Sequence, residues 1–206
     1  MMMNLFQNKT IKLSAMREAD AEVMAMWQED SEYLRNVDTD VAFPQSLKEI
    51  ASDGLLKGRR SNSVSFMLRT VQDDRLIGFV AIHGIEWNNR TGLLAIGIGD
   101  ANDRGKGYGR EAIHLILKYA FYELNLHRVG LDVISYNKAA IELYKKMGFQ
   151  MEGCMREAVQ RDGKCFDRMI MGILRDEWIE LQESTFEIIY VVCRRYNNNW
   201  RIFTVY

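Results

Sequence analysis

The feature that most constrains this chain is the run Leu93-Leu94-Ala95-Ile96-Gly97-Ile98-Gly99-Asp100-Ala101-Asn102-Asp103-Arg104-Gly105-Lys106-Gly107-Tyr108-Gly109-Arg110. It passes from an apolar strand through a glycine-rich turn into a helix whose apolar residues, Ile113, Ile116, Leu117, Ala120, Phe121 and Leu124, recur at helical spacing. The glycines at 105, 107 and 109 permit positive φ and remove Cβ atoms, so backbone N–H groups can converge on a phosphate at the positive end of that helix. Arg104, Lys106 and Arg110 add matching charge. A Walker A loop would need glycine at position 100 and Ser or Thr at 107, where Asp100 and Gly107 stand. A dinucleotide fingerprint would need GxGxxG after a βαβ start, whereas the spacing here is GxGxG. Both of those readings fail, and the loop by itself leaves open a merely flexible turn.

The surrounding pattern sets this loop in an α/β domain. Ile11 to Met16 alternates like a first strand, and Asp20 stands where a helix N-cap would, ahead of Val23, Met24, Met26 and Trp27. A second helix is expected over residues 46–60, with Leu47, Ile50, Leu55 and Leu56 on its apolar side and a stop near Gly58. Three β-like runs follow, Val64 to Thr70, Leu76 to Ile85 and Thr91 to Ile98, with Asp73-Asp74 and Asn88-Asn89 as turn residues; they predict an antiparallel meander. Beyond the glycine loop come a helix from Tyr108 to Leu124, a strand from Arg128 to Ser135, a helix from Lys138 to Met147 and two strands around Asp162-Gly163. The order implies one mostly antiparallel sheet flanked by helices, over residues 1–182. Residues 183–206 stand apart as an expected β-hairpin, Phe186 to Val192 and Trp200 to Tyr206 around Asn197-Asn198-Asn199, read either as a peripheral extension or as the element of a homodimer.

Charge and composition narrow the partners. Lys plus Arg total 27 against 28 Asp plus Glu, a net charge of −1, which gives no global attraction to nucleic acid or an anionic membrane. Three cysteines at 154, 165 and 193 lack CxxC spacing, and the histidines at 83, 114 and 127 form no HxxxH pair, so neither a disulfide framework nor a metal site is expected. The first residues lack the apolar core of a signal peptide, and no run reaches the ~18 apolar residues of a membrane span. A soluble protein of the reducing cytoplasm is expected.

The second informative block is Val129-Gly130-Leu131-Asp132-Val133-Ile134-Ser135-Tyr136-Asn137 followed by Lys138-Ala139-Ala140-Ile141-Glu142-Leu143-Tyr144-Lys145-Lys146-Met147-Gly148-Phe149. Asn137 and Tyr144 lie seven residues apart, about two helical turns, so both can face one ligand. With Arg104-Gly105-Lys106-Gly107-Tyr108-Gly109 matching Arg/Gln-x-x-Gly-x-Gly/Ala, the chain resembles the Gcn5-related N-acetyltransferase (GNAT) superfamily, in its branch of ribosomal-protein alanine and spermidine acetyltransferases. The resemblance runs from Ile11 to Trp178 and leaves out the terminal hairpin.

What the resemblance implies is a GNAT fold in which acetyl-CoA wedges between splayed parallel strands, the fourth and fifth, ending near Ile98 and Ile134. Residues 104–109, with Arg110 beside them, would hold the pyrophosphate, Ile98 would contact the pantetheine or thioester, and Asn137 would hydrogen-bond the pantetheine arm. An uncharged primary amine, of a protein N-terminus, a polyamine or another small molecule, would attack the thioester directly. Tyr144 matches the tyrosine beside the thiol, placed to donate to departing CoA, against the plainer reading of a helix tyrosine packed on the sheet. Relatives often carry Glu in an Asn-Arg-x-Ala-Glu context, but Asn89-Arg90-Thr91-Gly92-Leu93 puts leucine there. The general base is therefore open among Glu86, His83 and water, and a noncatalytic acetyl-CoA sensor is the alternative function. Eight acids between residues 17 and 40 form either a patch for a cationic acceptor or a solvated helix face. Trp27, Tyr33, Phe43 and Trp87 are candidates for the acceptor pocket or for the core.

Overall fold

The meander between residues 63 and 99 is the middle of a seven-stranded sheet ordered β1-β2-β3-β4-β5-β7-β6. The computed structural model describes residues 4–52 and 58–183. Its strands are β1 (Ile11–Ser14), β2 (Val64–Thr70), β3 (Leu76–Glu86), β4 (Thr91–Ile98), β5 (Arg128–Ile134), β6 (Gln150–Arg161) and β7 (Lys164–Leu174). Helices α1 (Asp20–Gln28), α2 (Ser31–Val37) and α3 (Leu47–Ser52) lie between β1 and β2. Helix α4 (Tyr108–Lys118) links β4 to β5, α5 (Lys138–Lys146) links β5 to β6, and α6 (175–183) follows β7. Every strand pair is antiparallel except β4 with β5. The hairpin expected over 184–206 lies outside the described residues, as does residue 193.

Burial explains the strand order. The run Leu76 to Ile82 in β3 is buried at every position, as a central strand covered on both faces must be, whereas β6 is exposed along most of its length and forms the edge. One face of the sheet packs Leu68, Val80, Ile82, Leu94, Leu131 and Val133 against α4, α5 and Trp178 of α6. The other packs Met67 and Phe79 against Met24 and Trp27 of α1, Tyr33 of α2 and Ile50 of α3. At its end α4 widens into a π turn (Tyr119–Glu123), closed by the Leu124 N–H to the Tyr119 carbonyl at 3.0 Å, and the rings of Phe121 and Tyr122 there meet Trp178.

Two local expectations change. Asp20 is the first residue of α1 rather than its cap, because its carboxylate is taken by the Arg69 guanidinium in a buried pair and by the backbone N–H of Arg17. Removing one partner of such a pair costs about 3–5 kcal/mol, so this contact fixes α1 on β2. The helix expected over 46–60 is seen as Leu47–Ser52, with 53–57 outside the described residues. It starts at a reciprocal cap in which Ser46 N–H and hydroxyl donate to Glu49 (2.8 and 2.7 Å) and Glu49 N–H donates to the Ser46 hydroxyl (3.3 Å). Asn88 and Asn89 lie in the β3–β4 turn as expected, which ends on left-handed Arg90 (φ 56°), and Asp162 and Gly163 (φ 51° and 71°) form the expected turn between β6 and β7. Among the described residues no helix is long and apolar enough to cross a membrane.

Candidate active site

The site is made by two parallel strands that stop pairing. β4 and β5 are registered only through Thr91–Arg128, Gly92–Val129 and Leu93–Gly130, after which β4 stays on β3 and β5 on β7. Between them opens a cavity of about 260 Å³, lined from β4 by Leu93 to Ile96, from β5 by Asp132 to Ile134, and by Asn137 and Tyr144. Because the N–H of Gly99 bonds the Ile77 carbonyl of β3 (3.0 Å), strand alternation turns the N–H groups of Ile98 and Ile96 toward the open side. Ile98 is half-buried in the core and is not among the cavity-lining residues, which places Ile96 nearer the centre of the opening.

Next to the cavity stands the glycine loop. Asp103, buried in the 3-10 turn Ala101–Asp103, anchors it through a bidentate pair with Arg75 (2.6 and 2.9 Å), which holds the Asp103 carboxyl below the usual carboxylate range against the effect of burial. Gly105 (φ 75°) and Gly107 (φ 89°) take the left-handed backbone, and Gly107 caps α4. Gly109 serves packing instead: a Cβ there would stand 3.2 Å from Leu143 of α5. Among the described residues no acceptor pairs with the backbone N–H groups of residues 105–110, at the positive end of an eleven-residue helix. The basic side chains are less free than the sequence suggests. Arg104 turns inward to the Gly99 carbonyl (3.0 Å) and to Asp30 (3.3 Å), with its guanidinium over the Tyr33 ring, and Lys106 lies 3.5 Å from Asp103. Arg110 is exposed. The phosphate cradle is therefore chiefly backbone, with Tyr108 as the first residue of its helix.

Helix α5 brings Asn137 and Tyr144 to the same cavity, as their spacing predicts. Asn137 is the N-cap: its Oδ1 accepts from the Ala140 N–H (3.1 Å), leaving the Nδ2 amide to donate to a ligand. Tyr144 is 9% exposed, with its ring edge-on to Phe149, and burial pushes its phenol up to about 12. It stays protonated throughout the neutral range.

The other side of the cavity is lined by Phe79 and His83 of β3 and by residues 36–39, the end of α2 and the start of the loop after it. Arg161 Nη2 donates to the carbonyls of Thr39 (3.0 Å) and Asp40 (2.9 Å), and Arg168 donates to the Thr39 hydroxyl (2.7 Å), so the β6–β7 hairpin pins this loop in place. Two carboxylates result at the mouth, Asp38 from the loop and Asp132 from β5, the second 3.7 Å from Arg168. Of the other acids in residues 17–40, Asp20 and Asp30 are paired with arginines, and Glu18, Glu22 and Glu29 are exposed. Glu32 and Asp40 are exposed as well, and Asp38, also exposed and accepting from the Asp40 N–H (3.1 Å), is the one of the eight that lines the cavity. Trp27 and Tyr33 are core, Phe43 and Trp87 are exposed, and none of the four lines the cavity. Glu86 is exposed and hydrogen-bonded to Asn89, outside the cavity. Sequence reasoning misses Asp132 and Ile96, which alternation along β4 and β5 could mark, and it includes Asp38 only as one of eight acids, with nothing local to separate it from the rest. Among the described residues no cluster of His, Cys, Asp and Glu is placed to hold a metal ion, and Cys154 and Cys165 are free and exposed.

Comparison with known proteins agrees with this geometry. The Acetyltransferase (GNAT) domain family matches residues 13–170. N-acetyltransferase p20 of Bacillus licheniformis is 26% identical over 180 residues, covering 85% of this chain and 99% of its own length. Spermidine N(1)-acetyltransferase of Vibrio cholerae serotype O1 is 34% identical over 108 residues, 52% of this chain and 62% of its own. The crystal structure of spermidine N-acetyltransferase from Vibrio cholerae in complex with CoA and spermine superposes with a TM-score of 0.72 at 25% identity, covering 84% of this chain and 99% of that one.

Proposed function

The chain belongs to the GNAT acetyltransferase family and is an acyltransferase, and on that premise we propose that it transfers acetyl from acetyl-CoA to a primary amine that carries further positive charge, as a polyamine does. The observation that carries this reading is a single cavity through the sheet with a hydrogen-bonding donor side, Asn137 and Tyr144, and an acidic acceptor side, Asp38 and Asp132. The spermidine acetyltransferases among the relatives and solved structures support the same acceptor class.

Acetyl-CoA supplies an activated acyl carbon and a thiolate leaving group. The N–H groups of residues 105–110 suit its pyrophosphate, and Asn137 Nδ2 suits an amide of its pantetheine arm. The N–H groups of Ile98 and Ile96, turned toward the opening, face the place where negative charge develops on the thioester oxygen as the amine attacks. Tyr144 holds an O–H toward the departing sulfur. With its phenol at about 12 and an ordinary thiol near ~8.5, full proton transfer is uphill by roughly 5 kcal/mol, which favours hydrogen-bond donation as its role. Both substrates meet in one complex, since the residues proposed for each line the same cavity.

The test is release of free thiol when protein and acetyl-CoA are mixed with polyamines, N-terminal peptides and aminoglycosides. Polyamines are expected to turn over with a KM that rises with ionic strength. Turnover confined to uncharged or singly charged amines would defeat the acidic-mouth reading.

A further inference from the structure

His83 stands directly across from Leu93 in the β3–β4 register. Opposite partners in an antiparallel pair share a face, and Phe79, two pairs of residues back along β3, places that face on the side of α1 to α3. Leucine at 93 is the departure from the Asn-Arg-x-Ala-Glu context, so the residue directly across the strand pair from the missing carboxylate is His83. A bulge follows at once: the register slips between His83 and Glu86, with Gly84 at φ 57°, so Glu86 is carried out to solvent while His83 stays in the cavity wall. Among the described residues no hydrogen bond occupies either ring nitrogen.

From this juxtaposition we infer that His83 is the general base of the acetyl transfer, replacing across the strand pair the carboxylate that position 93 lacks; the inference rests on the acyl transfer proposed above. An incoming ammonium, held at the mouth by Asp38 and Asp132, gives one proton to an imidazole nitrogen and from there to solvent. The freed lone pair forms the N–C bond as the C–S bond breaks, and the second proton lost by nitrogen balances the one gained by sulfur beside Tyr144.

The charges around His83 allow this. Burial lowers its pKa below the usual 6.5, and Asp132 and Asp38 act in the opposite direction. Asp132 is partly offset by Arg168, Arg128 on the same face is paired with Glu152, and Tyr144 is uncharged. The ring is neutral at neutral pH and able to accept.

His83→Asn and His83→Gln, assayed at saturating polyamine, are expected to lower kcat about 10²-fold while leaving acetyl-CoA affinity by calorimetry within about twofold. The wild-type kcat falls as pH drops through the lowered His83 pKa, and that acid limb is expected to vanish in both variants. The double variant His83→Asn/Leu93→Glu is expected to regain at least about tenfold and to show a limb at lower pH, typical of a carboxylate. Glu86→Gln keeps wild-type kcat. Single variants that retain kcat and the acid limb overturn the assignment, as does equal loss of kcat and acetyl-CoA binding. A wild-type protein that binds acetyl-CoA yet acetylates no amine removes the transfer reading itself.

Discussion

The two mouths of the cavity are built from different materials. On the proposed donor side most of the available groups are backbone, the N–H groups of residues 105–110 and of Ile96 and Ile98, fixed by the start of α4 and the edge of β4, with Asn137 and Tyr144 as the side chains beside them. On the acceptor side they are side chains, Asp38, Asp132 and His83, brought together from a loop and two strands. Backbone donors are set by the fold and read a phosphate or carbonyl of fixed shape. Side chains on a pinned loop can be exchanged without disturbing the sheet. The difference implies that the donor is specified by architecture and the acceptor by a few substitutable residues.

Substitutions on each side should therefore fail in different ways. The largest effect is expected at the junction of the two halves, where Tyr144→Phe removes only a hydroxyl: kcat should fall about 10²-fold with acetyl-CoA affinity unchanged, read by thiol release and calorimetry. Equal loss of both would return Tyr144 to a packing role. On the donor side, Gly107→Ala forces a non-glycine residue to φ 89° at a cost of about 1–2 kcal/mol, although a Cβ there meets nothing within 4 Å. Acetyl-CoA affinity should weaken about tenfold, while Gly109→Ala, which need only displace the Leu143 side chain, should change it less. On the acceptor side, Asp38→Asn should raise the KM for a polyamine about two- to fivefold at low salt, with kcat and acetyl-CoA affinity untouched. A shift in acetyl-CoA affinity from Asp38→Asn, or in polyamine KM alone from Gly107→Ala, would break the division between the mouths.

The donor side was also the more legible from sequence, for the same physical reason. A strand, a turn and a helix consecutive in the chain carry their own signals, so β4, the loop and α4 with its π turn fall where Thr91 to Leu124 predicted them. Asn137 and Tyr144 share one helix and needed only its periodicity. What sequence blurred was the division of labour among the glycines, because Gly109 is constrained by Leu143, which lies in another helix. The acceptor side depends on contacts distant in sequence. Asp38 faces the cavity because Arg161 and Arg168, more than 120 residues later, hold the loop around it, and no local pattern separates it from Glu18 or Glu22. His83 and Glu86 looked equivalent until the bulge at Gly84 sent one inward and the other to solvent. Asp20 looked like a cap because its partner, Arg69, sits on β2.

The central claim is that the unpaired N–H groups at the start of α4 and along the open edge of β4 receive the donor. Amide hydrogen exchange followed by mass spectrometry, with and without saturating acetyl-CoA, tests it without requiring turnover. Protection is expected in peptides covering residues 94–98, 104–110 and 137–144, with the edge strand β6 unchanged. Protection absent from 104–110, or appearing chiefly in β6 and β7, would contradict the claim.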